Sequence, residues 1–164
     1  MDDGGTDLLK AHLRTALAGQ GAHISISQAL EGFPVERAGE RPPGIPHSAW
    51  DLVYHVHCVL QDLIDWVVAD DYQGHEYPSG YWPAEHAPAS REAWYEKLRA
   101  VDQAVATLQG WVDASSAGEL LEPLARDSRH SRLRQILLAI DHNSYHIGQL
   151  VDLRMLLGVP VKDW

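Results

Sequence analysis

Residues 133–157 read LRQILLAIDHNSYHIGQLVDLRMLL, and the fold turns on how this stretch is read. Wound as a helix at about 100° per residue, it puts Leu133, Ile136, Leu137, Ile140, Ile147 and Val151 on one apolar stripe. Leu138, Leu150, Leu153 and Leu157 form a second stripe, and Arg134, Asp141 and Asp152 keep to a polar strip. The helix reads from about residue 128 and is ended by Gly158 and Pro160. His142 and His146 stand one turn apart within the second apolar group, so both are expected to face the interior. Buried histidines need partners. The spacing allows either two mutually satisfied core imidazoles or two ligands of one metal ion.

Outward from this helix, three further stretches carry helical character. A first helix is expected over residues 6–30, with Leu9, Leu13, Leu17, Ile24 and Ile26 as its apolar positions and a weak patch at 19–21. A linker at 32–47 holds Pro34, Pro42, Pro43 and Pro46, too closely spaced for a helix. The second helix is expected from an N-cap at Ser48 to about residue 69, and the third from an N-cap at Ser90 to about residue 112. Between them, residues 70–89 set Tyr72, Tyr77, Tyr81 and Trp82 among prolines, as an ordered loop over one end of the bundle or as a lid over a substrate. With a loop at 113–128 and no strand-like alternation, the pattern is that of an all-α, four-helix bundle forming a single domain over residues 1–164, its ordered core at about 6–158.

Composition narrows the function. Hydrophobic residues at 45% and charged residues at 22% belong to a chain with a core. Thirteen Lys and Arg against 23 Asp and Glu give a net charge of -10, the wrong sign for gripping nucleic acid or anionic lipid. No apolar stretch approaches the roughly 20 residues of a membrane span, and Met1-Asp2-Asp3-Gly4-Gly5 lacks a signal-peptide profile. The single Cys58 forms no internal disulfide, and a cytoplasmic location is expected.

Two histidines are too few for tight metal binding, so a third ligand is sought on the second helix. Leu52, Val56, Val59, Leu63, Trp66 and Val67 mark its buried arc, with His55 at one margin and His57 at the other, and periodicity leaves both open. Asp51 and Asp62 fit either outer partners of an imidazole or, more ordinarily, solvated surface carboxylates. Other site types fail on their requirements. A zincin protease needs Glu where Asn143 stands. No Glu has His three residues later, as a di-iron carboxylate bundle requires, and one Cys cannot build a zinc finger or iron–sulfur site. Cys58, among apolar neighbours, reads as a small core residue rather than a nucleophile.

The segments Ser48-Ala49-Trp50-Asp51-Leu52-Val53-Tyr54-His55-Val56 and Asp141-His142-Asn143-Ser144-Tyr145-His146-Ile147-Gly148-Gln149-Leu150, with Leu153-Arg154 and Leu157-Gly158, resemble the DinB-like (DinB/YfiT) family of bacterial four-helix-bundle proteins. Tyr81-Trp82-Pro83 and Glu92-Ala93-Trp94 resemble its middle, and the resemblance runs over residues 8–158. It implies an up-down-down-up bundle, often dimeric, in which His55, His142 and His146 hold a divalent metal ion; histidine ligands accept zinc, nickel, copper and iron, and zinc or nickel is expected. It thereby selects His55 over His57. Characterised relatives include transferases and isomerases that use low-molecular-weight thiols such as bacillithiol or mycothiol.

The expected function is a metal-dependent transferase in which a small-molecule thiol binds at the three-His site. A non-catalytic metal-binding or interaction module and a metal-assisted hydrolase are the alternatives, the last needing a base such as Asp62. Tyr145, Gln149 and the aromatic loop lie within sequence reach of the site without an assigned role. A small bundle with six Trp leaves apolar surface for an interface, and a homodimer is expected.

Overall fold

The computed structural model describes residues 3–161. Six helices occur among them: α1 (Asp3–Leu17), α2 (Ile26–Leu30), α3 (Ala49–Val68), α4 (Arg91–Ala114), α5 (Ala117–Leu121) and α6 (Arg132–Leu156). The four long ones form the bundle expected from the sequence. α3 packs on α4 and α6, α1 packs on the same two, and short α2 and α5 lie against α6. None of the described helices is long and apolar enough to cross a membrane.

Serine sets most of the helix starts. The Ser48 hydroxyl accepts from the Asp51 amide while the Asp51 carboxylate accepts from the Ser48 amide, so two otherwise orphaned donors are satisfied reciprocally. Ser90 caps α4 and Ser131 caps α6, three residues beyond the expected start of that helix. Ser25 and Ser116 cap α2 and α5 in the same boxed way. α5 falls within the segment expected to be a loop.

The expected first helix over 6–30 is two helices. α1 stops at Leu17, and Gly19 takes φ +65, a conformation open to glycine at no steric cost. A Cβ there would meet the Ser25 Cα at 2.6 Å, because the chain doubles back on itself. Ile26 is still buried, from its own helix. The proline linker is irregular, as expected, apart from a 3-10 turn at Val35–Arg37, and it drives Phe33, Val35 and Ala38 into the core.

The core runs between α3, α4 and α6 through Leu52, Val56, Leu60, Trp94, Val101, Leu108, Ile136, Leu150 and Leu153. Two expected core positions on α6 depart from the wheel: Leu137 and Leu138 are 51% and 37% exposed. In their place α6 buries Gln135, Asn143 and Arg154. Arg154 explains its own burial, because it donates to the carbonyls of Ala29, Glu31, Val159 and Pro160, joining α6 to α2 and to the chain beyond Gly158.

Candidate metal centre

α3 and α6, neighbours in the bundle, turn His55, His142 and His146 toward one another. Their ligand nitrogens lie within 4.8 Å of each other, His55 and His142 half-buried and His146 buried. His142 Nε2 is the middle atom, 3.1 Å from Nε2 of His55 and 3.1 Å from Nε2 of His146. His57 is not among them. It faces α4, where the Lys97 ammonium lies 3.3 Å from its Nδ1.

The far side of each ring decides what the near side offers. His55 Nδ1 lies 3.1 Å from the Tyr81 carbonyl oxygen. A carbonyl only accepts, so Nδ1 carries the proton and Nε2 presents a lone pair to the cluster. His146 Nδ1 is fixed likewise, donating to Gln149 Oε1 at 2.6 Å, while Gln149 Nε2 donates to the Tyr145 hydroxyl at 3.3 Å and so fixes the amide's orientation. His142 Nε2 can give a proton to one neighbour, not both. At least one contact is then lone pair against lone pair unless an extra proton or a cation intervenes.

An extra proton is disfavoured. Burial, followed by the adjacent imidazoles, pushes His142 down to about 4. Burial likewise pushes His146 down to about 4, and it lowers His55. Three neutral imidazoles with converging lone pairs are the donor set for a divalent ion of borderline character, and the residues present fit one. His142 Nδ1 is buried and unpaired, as is Oδ1 of adjacent Asn143. The two are near enough for Asn143 to favour the charged ring, yet they miss hydrogen-bond geometry.

The aromatic loop builds one wall of the site. Trp82 lies flat on His55 at 4.0 Å between ring centroids, with His47 stacked at 4.0 Å on the tryptophan as well. Asp62 accepts from the hydroxyls of Tyr72 at 2.6 Å and Tyr81 at 3.0 Å, which ties the loop to α3 about two turns along from His55. Burial and then the Asp62 carboxylate raise both phenols, Tyr81 to about 12. Neither Asp62 nor Asp51 is a solvated surface carboxylate. Asp62 is half-buried under the loop, and Asp51, 1% exposed, caps α3 and holds His86 Nδ1 at 2.9 Å. Cys58 is buried, with His75 Nε2 3.6 Å from its sulfur, and burial raises its thiol.

Over the three imidazoles opens a cleft of about 530 Å³, walled by Val59, Leu63, Leu138, Tyr77, Tyr81 and Tyr145. The imidazoles thus sit where a small molecule could meet an ion. Sequence reasoning placed no role on Tyr81, Trp82 or Gln149. Gln149 had a legible signal, since position i+3 from His146 puts it on the same helix face, whereas a backbone carbonyl such as that of Tyr81 leaves no trace in side-chain identity.

A helical bundle that gathers three histidines from two of its helices beneath an open cleft belongs to the class of bundles with a candidate metal centre in the core. The DinB superfamily model matches residues 24–150, and the chain belongs to that superfamily. Comparison with curated proteins and with solved structures finds no match.

Proposed function

We propose that the chain is a metal-dependent transferase in which His55, His142 and His146 hold a divalent ion, zinc or nickel, and a low-molecular-weight thiol is the co-substrate. The observation that carries this reading is the convergence of three Nε2 atoms at the floor of a cleft, with two Nδ1 protons already committed to oxygen acceptors. Three protein ligands leave a coordination position open, and an ion so held lowers the pKa of a thiol enough for it to react as thiolate near neutral pH. The chain's own part is orientation: Tyr81 and Gln149 fix the rings, Trp82 covers His55, and the loop and α6 enclose the reacting groups. A hydrolase is less well served, because both oxygens of Asp62 already hold tyrosine hydroxyls and Asp62 is not free as a water-activating base. A reducing cytoplasm would keep such a thiol reduced, and a homodimer would cover apolar residues left exposed on α6, among them Leu137, Met155 and Leu156.

The test is metal content by elemental mass spectrometry on untagged protein beside His55→Ala. About one divalent ion per chain, lost in the variant, is expected for a three-His site. No ion after zinc and nickel are added back would overturn the proposal and leave the non-catalytic module. A thiol-dependent turnover of electrophiles that persists in His142→Ala/His146→Ala would equally overturn it.

A further inference from the structure

The cleft has a charge character that the three histidines alone do not determine. Its walls are apolar or aromatic, and apart from the imidazoles the one ionisable carboxylate or cation lining it, among the described residues, is Asp62. No Lys or Arg among the described residues lines it. Arg126, 5.2 Å over the Tyr72 ring, directs its donors instead to the carbonyls of Trp66 and Ala69 at the end of α3. A doubly charged ion, a bound thiolate and the Asp62 carboxylate sum to zero. A second negative group on the co-substrate would therefore enter an open but already neutral, apolar-walled cleft with no further cation to receive it, whereas an uncharged apolar body meets Val59, Leu63, Leu138 and Tyr145.

We infer that the cleft selects co-substrates whose body beyond the reacting group is uncharged and apolar or aromatic, and turns away those bearing a carboxylate or phosphate. The inference rests on the thiol reading above for its choice of sulfur probes but on the walls of the cleft for its sign. Leu138, at the edge of the cleft and partly exposed, is the position from which the selection could be reversed.

The experiment is calorimetric titration of the zinc-loaded protein with benzyl mercaptan and 4-(mercaptomethyl)benzoate, which differ by one carboxylate. Benzyl alcohol and 4-(hydroxymethyl)benzoate, titrated into the metal-free protein where Asp62 is the charge lining the cleft among the described residues, serve as the same pair without sulfur. The neutral member of each pair is expected to bind at least about tenfold more tightly, the scale of one unpaired charge at a partly screened site. Leu138→Lys is expected to narrow the gap at least about fivefold by offering the missing cation. Equal or tighter binding of the carboxylates by the wild type overturns the selection. Loss of thiol binding with the neutral preference retained in the alcohol pair overturns the thiol reading and supports the selection. Binding by none of the four overturns both.

Discussion

Gln149 acts on the candidate ion only through His146, and that makes it a sharp probe. Gln149→Leu keeps the bulk and removes the acceptor of the Nδ1 proton, leaving the ring free to turn and its basicity lowered. Such outer partners are worth about 10- to 100-fold in metal affinity, so chelator competition should find the variant weaker by that order while its thermal unfolding stays close to wild type. A second outcome follows from the protonation of the same cluster. In the metal-free protein His142 and His146 are held down to about 4, against about 6.5 in an unfolded chain. The unfolded state binds more protons between those limits. Stability is therefore fully present above about pH 6.5, falls as the pH drops through that window, and levels off below about 4. Urea midpoints of the metal-free protein should trace this slope, and His142→Gln/His146→Gln should flatten it.

The elements divide into those whose boundaries side chains announce and those set by the path of the chain. α3 and α4 begin at the serines expected of them, because a hydroxyl at an N-cap bonds within three residues and is a local property. α1 ends thirteen residues earlier than its apolar positions imply, because Ile24 and Ile26 serve the core equally well from a reversed segment, and only the Gly19 turn tells the two apart. Gly19→Ala should accordingly cost more than about 1 kcal/mol by denaturant unfolding, since it adds a positive-φ strain to a backbone collision. His142 and His146 were legible from spacing, and His55 from resemblance. The Tyr81 carbonyl and the Trp82 stack were not, because they depend on where a twenty-residue loop returns to α3. That return is held by Asp62. In Asp62→Ala, both phenols should titrate at lower pH by ultraviolet absorbance, and amides of residues 72–82 should exchange faster with solvent.

At the scale of the whole molecule, Arg154 clasps the end of α2 to the segment beyond Gly158. Arg154→Ala would strand four carbonyls and is expected to cost at least about 2 kcal/mol in urea unfolding, the scale of buried acceptors left without their charged donor. Copies that each carry a net charge of -10 repel, so the proposed dimer should tighten as salt rises, and sedimentation equilibrium at low and high salt checks this. The molecule also contains its own optical reporter. Trp82 is the tryptophan stacked face to face on an imidazole of the cluster, among the described residues. An open-shell ion such as nickel, held by that imidazole, should quench the indole's emission, so the filling and emptying of the centre can be followed in real time on unlabelled protein, and Trp82→Phe should lose most of the metal-dependent change while the other five tryptophans still emit.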